Sequence, residues 1–241
     1  MKFTRHYRVR WHDTDANRRV RLSQVLMYMQ ETANAQLAAA GLSLDALRDE
    51  QGLAFLLSSI SVRLYEPMFT DDQIDVQTWV CEGHGFSYLR CFRIERDGVV
   101  VAEASSVWAL MDLRAKKLVR ADAPPYDIEP EAMLELDLPR RLRLPHADEM
   151  GSAGERRIVY SDIDYNGHMN NTHYPDLFCD FTPDVCHGRV TAMMLSFLHE
   201  ATFGHTLKVY RKRVEDGYLF RTEDANGAVC TDAYLRLEVE D

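Results

Sequence analysis

The amino-acid sequence predicts an α+β protein made of two copies of one unit, each an antiparallel sheet with one main helix. Three observations support this prediction. Strand-like segments follow one another along the chain and are separated by tight-turn signals such as Asp97-Gly98 and Asn226-Gly227. A helix-like segment comes early in each half. A polar motif around Asp164 also has a weaker copy about 149 residues upstream, which indicates a duplicated unit.

The first unit opens with a strand at residues 3–11, where apolar and polar residues alternate. Ser23 is expected to cap a long helix, in which Val25, Met29 and Leu37 belong to one apolar stripe. A short helix capped by Ser43 comes next. The strands that follow are expected at residues 54–64, 74–81, 86–95 and 99–112.

Residues 123–151 are predicted to join the two units, which span residues 1–122 and 152–241. Five of the eight prolines lie in residues 121–154, so this segment is expected to be a linker or a belt that crosses one sheet. The second unit repeats the first, with a helix at residues 172–181. Its strands are expected at residues 155–160, 190–202, 207–215, 218–223 and 229–239.

Composition is that of an ordinary globular protein, with 46% hydrophobic and 27% charged residues in 241. No apolar run reaches about 18 residues, so no membrane span is expected. The N-terminus shows no signal or transit segment, which suggests a bacterial or already processed form. The five cysteines are scattered, so a disulfide framework or a zinc site is not expected, and a reducing, cytoplasmic location fits best.

The net charge of −10 argues against nucleic acid as a partner. The charge is uneven, with a net of −2 in residues 1–146 and −8 in residues 147–241. An acidic partner protein would therefore have to dock on local basic clusters. The candidate clusters are Arg18, Arg19 and Arg21; Arg114, Lys116, Lys117 and Arg120; Arg140, Arg141 and Arg143; and Arg211, Lys212 and Arg213. Each cluster could equally be ordinary solvated surface charge.

The stretch from Tyr160 to Tyr174 reads Y-S-D-I-D-Y-N-G-H-M-N-N-T-H-Y. Its polar residues recur at every second position, which would place them on one side of an extended or winding backbone. They are Asp162, Asp164, Asn166, His168 and Asn170. Carboxylate, amide and imidazole groups together can bind a carbonyl and transfer a proton. A helix that begins directly after the motif is expected to add backbone N–H donors.

Two other interpretations of this stretch exist. Alternating polar residues also occur in loops that simply face solvent. A metal site formed by His168, His173 and the aspartates is a further alternative. Carbonyl binding explains the asparagines better than metal binding does. Asp162 is expected to brace the turn rather than react.

The first half carries the same motif with one important change. Asp13, Asp15 and Asn17 occupy the positions of Asp162, Asp164 and Asn166. Arg19, however, stands where His168 stands in the second half. Only the second copy is therefore expected to be equipped for chemistry.

Four features of the chain belong together: the motif D-x-D-x-N-x-H-x-N-N-x-x-Y, its degenerate copy, the helix Y-M-Q-E-T-A at Tyr28–Ala33, and Glu200 downstream. In these features the chain resembles the acyl-acyl-carrier-protein thioesterases. These are double hot-dog proteins. The resemblance implies two antiparallel β-sheets, each wrapped around a central α-helix and joined by a linker. It also implies hydrolysis of fatty acyl-carrier-protein thioesters to free fatty acid and carrier protein, without a cofactor. The acidic carrier would dock on the basic clusters, and the acyl chain would lie in the N-terminal unit.

By the same resemblance, Asp164, Asn166, His168 and Glu200 match the catalytic positions of the family. Asp164 would act as nucleophile or as an orienting carboxylate, and Glu200 as the base that holds water or as a partner of His168. Glu66 is expected to be the first-half counterpart of Glu200. Some family members carry a cysteine where this chain has Ala201, so a mechanism that needs that thiol cannot operate here.

Two alternative functions stay open at this point. One is an acyl-CoA thioesterase, and the other is a non-catalytic acyl-binding protein of the same fold. The sequence also leaves the oligomeric state open, with a homodimer as one option.

Overall fold

The computed structural model describes residues 2–139, 141–183 and 185–239. The chain divides into two compact units: unit 1 comprises Met1–Val20 and Gln24–Leu136, and unit 2 comprises Arg21–Ser23 and Asp137–Asp241. The division after Leu136 falls inside residues 123–151, the predicted linker. Among the helices in these ranges, none has the length and apolar character needed to span a membrane.

Unit 1 contains a five-stranded antiparallel sheet in the order β1-β3-β4-β5-β2, with a short sixth strand, β6, paired with β5. Its strands are β1 (Phe3–Arg8), β2 (Leu53–Leu64), β3 (Gln73–His84), β4 (Ser87–Arg96), β5 (Val99–Asp112) and β6 (Lys117–Val119). Its helices are α1 (Leu22–Ala39, whose first two residues are grouped with unit 2) and α2 (Leu44–Asp49).

Helix α1 packs its predicted apolar stripe against one face of this sheet. Val25, Met29 and Leu37 are all buried, which confirms the stripe. Helix α1 begins at Leu22, so Ser23 lies inside the first turn and is not its cap. The side chain of Ser43 does cap α2, since its hydroxyl oxygen accepts the backbone N–H of Ala46 at 3.2 Å.

A segment that we call the strap, residues 130–136, covers the opposite face of the sheet in unit 1. The indole Nε1 of Trp79 donates to the carbonyl oxygen of Ala132 at 2.9 Å, and the N–H of Glu131 donates to the carbonyl oxygen of Val80 at 2.9 Å. Burial in β3 alternates up to Gln77 and becomes continuous from Thr78 to Cys81. The strand is therefore buried on both faces where the strap covers it.

Unit 2 contains a second antiparallel sheet, in the order β8-β11-β10-β9-β7. Its elements are β7 (Gly151–Arg157), α3 (Tyr174–Asp180), β8 (Gly188–Phe197), β9 (Thr206–Val214), β10 (Gly217–Glu223) and β11 (Val229–Val239). The Phe178 ring of α3 packs on Phe220, with centroids 5.2 Å apart, and anchors the helix on the sheet. Helix α3 has 7 residues against 18 in α1.

Two strands of unit 2 end earlier than predicted. Strand β7 ends at Arg157 and not at Tyr160, and β8 ends at Phe197 and not at Thr202. After Phe197, the N–H groups of Leu198 and His199 both donate to the carbonyl oxygen of Cys230. Two residues then face one on β11, so the chain leaves the sheet before Glu200.

Candidate active site

Asp162 anchors the start of the motif in unit 2. Its Oδ2 accepts the backbone N–H of Val159 at 2.8 Å, and its Oδ1 accepts Nη2 of Arg156 at 2.8 Å. The side chain is only 6% exposed, so both bonds are shielded from water. Asp162 therefore has the bracing role that the sequence suggests. Arg156 was missed, because nothing in its position on β7 signals this ion pair.

Asp164, Asn166 and Gly167 form a tight turn. Oδ1 of Asp164 accepts the N–H of Asn166 at 2.8 Å, and the carbonyl oxygen of Asp164 accepts the N–H of Gly167 at 3.0 Å. Gly167 adopts a φ of 88°, a left-handed conformation that favours glycine. Of the extended or winding backbone that the alternation predicts, the extended form is wrong, because the chain turns at Asp164.

The turn places His168 next to the segment that contains Glu200. Residues His168 and Thr202 pair as an antiparallel bridge, and the N–H of Met169 donates to the carbonyl oxygen of Ala201 at 2.8 Å. Nε2 of His168 lies 3.8 Å from Oε1 of Glu200. The His168 side chain is 18% exposed and that of Glu200 is 64% exposed. The carboxylate of Glu200 is therefore open to solvent, while the imidazole of His168 is mostly enclosed.

The separation of 3.8 Å between His168 and Glu200 exceeds a direct hydrogen bond. One water molecule in hydrogen-bond contact with both atoms could bridge them. On the other side of the ring, Nδ1 lies 3.4 Å from the carbonyl oxygen of Met169. That contact is longer than a normal hydrogen bond, and an N–H at Nε2 would make this atom a donor on the side of the ring that faces Glu200.

The backbone N–H groups of the motif are largely committed to other acceptors. Oδ1 of Asn170 accepts the N–H of Thr172 at 3.0 Å, and the carbonyl oxygen of Asn170 accepts the N–H of His173 at 2.9 Å. The expected contribution of a helix N-terminus is therefore reduced, because Asn170 already occupies these donors. The side-chain donors available to a carbonyl oxygen at this place are the amide of Asn166 and the imidazole of His168.

The D-x-N-G turn by itself is not a site, because the same turn occurs elsewhere in unit 2. Asp224, Asn226 and Gly227 repeat it, with the Asn226 N–H 2.8 Å from Asp224 Oδ1 and a φ of 80° at Gly227. Oδ1 of Asp224 also accepts the N–H of Ala228 at 2.8 Å. Within the described ranges, Asp164 accepts no such bond from His168. Its carboxylate consequently keeps free hydrogen-bonding capacity.

The degenerate copy in unit 1 folds in the same way but lacks the reactive groups. Asp15 Oδ1 accepts the N–H of Asn17 at 2.8 Å, and Arg18 holds a φ of 62° where the second copy has glycine. Arg19 pairs with Phe69 as His168 pairs with Thr202. Unit 1 therefore preserves the turn and its backbone partner without the imidazole.

The proposed correspondence of Glu66 with Glu200 is wrong by one residue. The N–H groups of Tyr65 and Glu66 share the carbonyl oxygen of Val101, as those of Leu198 and His199 share Cys230. Glu66 thus corresponds to His199, and Pro67 corresponds to Glu200. Unit 1 lacks both the imidazole and the carboxylate of the pair.

Other polar residues near the motif have ordinary roles. Nδ1 of His173 lies 3.9 Å from Oδ1 of Asp162, and Nδ1 of His199 lies 2.7 Å from the carbonyl oxygen of Val229. Across the described residues, no cluster of three or more His, Cys, Asp or Glu side chains could hold a metal ion. Ala201 is 1% exposed and offers no reactive group beside Glu200.

Comparison with known families covers almost the whole chain. The acyl-ACP thioesterase N-terminal domain matches residues 1–124, and the acyl-ACP thioesterase C-terminal domain matches residues 146–234. An acyl-[acyl-carrier-protein] hydrolase of Cuphea viscosissima is 26% identical over 197 residues, covering 75% of this chain and 47% of that protein. A palmitoyl-acyl carrier protein thioesterase of Arabidopsis thaliana is 27% identical over 188 residues, covering 71% and 45%. The match thus spans about half the length of these curated relatives.

Solved structures show the same fold along the full chain. An acyl-ACP thioesterase from Bacteroides thetaiotaomicron superposes with a TM-score of 0.89 at 22% identity, covering 98% of each chain. A 12:0-ACP thioesterase from Umbellularia californica gives 0.85 at 16% identity, covering 99% of this chain and 98% of the other. The predicted α+β double hot-dog fold is confirmed. With both of its domains matched by those of one family, this chain belongs to the acyl-ACP thioesterases.

Proposed function

We propose that this chain hydrolyses the thioester of fatty acyl-carrier protein and releases free fatty acid and carrier protein, the step that terminates fatty acid synthesis. The observation that carries the proposal is the pairing of His168 with Glu200 across 3.8 Å, beside a turn that presents Asn166. Unit 1 keeps the turn but has Arg19 and Pro67 at the two reactive positions. The names of the relatives supply the substrate class.

The thioester carbonyl is bound by side chains. The amide of Asn166 and the imidazole of His168 donate toward the carbonyl oxygen, where negative charge develops as the tetrahedral intermediate forms. Asp164 orients Asn166, because its Oδ1 holds the Asn166 N–H and its Oδ2 lies 3.4 Å from Nδ2 of the same residue. A direct attack by Asp164 is the other route that the same groups allow.

Glu200 drives the attack as the base. A water held between Oε1 of Glu200 and Nε2 of His168 loses a proton to the carboxylate, and its oxygen bonds to the carbonyl carbon. The tetrahedral intermediate then collapses, the carbon–sulfur bond breaks, and the pantetheine thiolate takes up the proton held by Glu200, which regenerates the carboxylate. No thiol of this chain takes part, in keeping with the alanine at position 201.

The two units divide the work in this proposal. The C-terminal unit, residues 152–241, performs hydrolysis, and the N-terminal unit, residues 1–122, accommodates the acyl chain. The slim, alanine-rich helix α1 and its sheet provide an apolar interior suited to a hydrocarbon. A cytosolic location and a homodimer belong to the same proposal, and light scattering in solution would test the second.

The carrier protein docks on exposed basic side chains. Arg114 and Lys116 are exposed between β5 and β6, and Lys117 is exposed at the start of β6. Arg211 and Arg213 are less available, because both pack over the ring of Tyr218. In the cluster of Arg140, Arg141 and Arg143, Arg140 lies outside the described residues, whereas Arg141 and Arg143 are exposed. We place the docking surface at the cluster of Arg114, Lys116, Lys117 and Arg120, because all four of these basic side chains are exposed.

The test compares initial rates on an acyl-carrier protein and on the matching acyl-CoA, at low and high salt. Wild-type turnover on the carrier substrate should fall with salt, because docking rests on screened surface charges. The double variant Lys116→Glu/Lys117→Glu should raise KM for the carrier substrate about tenfold and leave acyl-CoA unchanged. Lys212→Glu, beside the two arginines that pack over Tyr218, serves as the matched control.

Two outcomes would replace the proposal. Equal turnover of both substrates without a salt effect would identify an acyl-CoA thioesterase. Acyl binding without turnover of either thioester would identify a non-catalytic acyl-binding protein.

A further inference from the structure

Two cysteines of unit 1 lie in direct contact, far along the chain from the motif. Sγ of Cys81 on β3 lies 3.5 Å from Sγ of Cys91 on β4. Both are free thiols, and their side chains are buried, at 6% and 0% exposure. Cys91 is paired in register with Trp79 and Cys81 with Leu89, so the two thiols are diagonal neighbours on one face of the sheet.

The strap covers this pair of sulfur atoms. The N–H of Leu134 points at Sγ of Cys91 at 3.4 Å, and Cys81 pairs with Glu131 as a parallel bridge. Trp79 fastens the strap nearby through its bond to Ala132. The thiols therefore lie between the sheet and the strap, and the N–H of Leu134 is a backbone donor to one of them.

The contacts distinguish the two sulfur atoms chemically. The S–H of Cys81 donates to Cys91 and, together with the N–H of Leu134, lowers the pKa of the Cys91 thiol, while burial acts in the opposite direction. The hydrogen bond to Cys91 and burial raise the pKa of the Cys81 thiol. The guanidinium of Arg90 is close enough to favour the thiolate at both positions. Cys91 is thus the better nucleophile and Cys81 the better proton donor.

We propose that Cys81 and Cys91 form a reversible redox site that a hydroperoxide converts into a disulfide. The Cys91 thiolate attacks one peroxide oxygen, the O–O bond breaks, and a sulfenic acid forms at Cys91 while hydroxide takes up a proton. Sγ of Cys81 then attacks Sγ of Cys91 and loses its proton, and the sulfenic oxygen leaves as water. Two thiols and one hydrogen peroxide give one disulfide and two waters.

The two sulfur atoms already lie close together for the second step, the formation of the disulfide bond. The sulfur atoms must close from 3.5 Å to about 2.05 Å, the length of a disulfide bond. Because the strap shields the pair, the first step requires the peroxide to pass beneath it. The exposed Cys186 should therefore be modified by a bulky maleimide long before Cys81 or Cys91 in the native protein.

The chain allows a clean chemical readout. Trypsin cuts after Arg63, Arg90 and Arg93, which releases residues 64–90 with Cys81 as the sole cysteine and residues 91–93 with Cys91 as the sole cysteine. The experiment treats the full chain with hydrogen peroxide, alkylates it in denaturant with N-ethylmaleimide, digests it and weighs the peptides. Cys186→Ala is the background, so that the exposed thiol does not couple two molecules.

The proposal expects peptides 64–90 and 91–93 joined by a disulfide, and two thiols lost per chain that dithiothreitol restores. In Cys81→Ser, Cys91 should stop at a sulfenic acid that dimedone traps, and in Cys91→Ser, Cys81 should stay reduced. Complete alkylation of both cysteines after peroxide treatment would overturn the proposal. Conversion of Cys91 to sulfinic acid in the wild type, without the cross-link, would overturn it as well. The wild-type result decides the matter even where a serine variant fails to fold.

Discussion

Nε2 of His168 and Oε1 of Glu200 face each other across 3.8 Å, although 32 positions separate them in the chain. Two backbone links hold the segments together, the bridge between His168 and Thr202 and the bond from Met169 to Ala201. The imidazole is mostly enclosed and the carboxylate is open to solvent. This combination suits a base that recruits water and a ring that directs it.

Replacing His168 should abolish most of the hydrolysis. His168→Ala removes both a carbonyl donor and the second holder of the water, so kcat should fall by about 100-fold or more. The measurement is the steady-state rate on an acyl-carrier protein. His199→Ala is the control, because it removes an exposed imidazole next to Glu200 whose Nδ1 bonds to the backbone carbonyl oxygen of Val229. A His168→Ala enzyme with a rate like that of the control would contradict the assignment.

A comparison of the two D-x-N-G turns of unit 2 distinguishes a structural role of the asparagine from a catalytic one. Asn166→Ala should lower kcat by about 100-fold or more, because it removes a donor to the developing oxyanion. Asn226→Ala removes the same amide from the same turn, and it should leave kcat within about twofold. The two variants should lose similar small amounts of stability, which urea unfolding can measure. Equal rates for both would show that Asn166 only shapes its turn.

Asp164 tests the choice between orientation and direct attack. Asp164→Asn keeps an acceptor for the Asn166 N–H, so an orienting role predicts a loss of about tenfold in kcat. Asp224→Asn is the matched control for the stability of the turn. Single turnover in water labelled with oxygen-18 adds an independent readout, since orientation predicts no label in the carboxylate of Asp164. Label found in that side chain would establish a covalent acyl intermediate.

Asp162 should contribute to stability more than to chemistry. Asp162→Ala leaves the N–H of Val159 and the guanidinium of Arg156 without their acceptor, which should cost about 2–4 kcal/mol of the free energy of unfolding. Denaturant unfolding measures this loss, with the exposed Asp148→Ala as the control. A change below about 0.5 kcal/mol would mean that the brace is dispensable.

Tyr174 should make the protein sensitive to alkali. Burial raises the pKa of its phenol in the folded state, so its contribution to stability is complete below pH 10 and falls as the pH rises further. Above pH 10 the unfolded chain releases this proton and the folded chain keeps it. Stability should therefore decrease with a slope of about 1.4 kcal/mol per pH unit from this group. Tyr174→Phe should remove that slope in urea unfolding between pH 9 and 11, whereas Tyr160→Phe, at an exposed position, should not.

The sequence predicts the hairpins well because their turns are local. Asp97-Gly98, Asp216-Gly217 and Asn226-Gly227 all fall at strand ends, and the bounds of β5 and β11 match the prediction. The end of β8 could not be predicted in this way. The apolar pattern continues past Phe197, whereas the strand stops because Leu198 and His199 share one acceptor on β11.

In the candidate site, too, the local features were predictable from the sequence and the long-range contact was not. The spacing of Asp164, Asn166 and His168 is fixed by one turn, so their neighbourhood is visible in the sequence. The approach of Glu200 depends on a bridge to a distant segment, and only the family resemblance indicated it. The one-residue error in pairing Glu66 with Glu200 has the same origin, since the shared acceptors at Val101 and Cys230 leave no trace in residue pattern.

The most direct measurement is hydrolysis of a long-chain acyl-carrier protein by the wild type, Glu200→Gln and Glu66→Gln. Both glutamates are exposed and follow the strand after the helix of their unit, but only Glu200 faces an imidazole. The account predicts that Glu200→Gln loses about 100-fold or more in kcat and that Glu66→Gln keeps the wild-type rate. Equal activity of the two variants on the carrier substrate would contradict it.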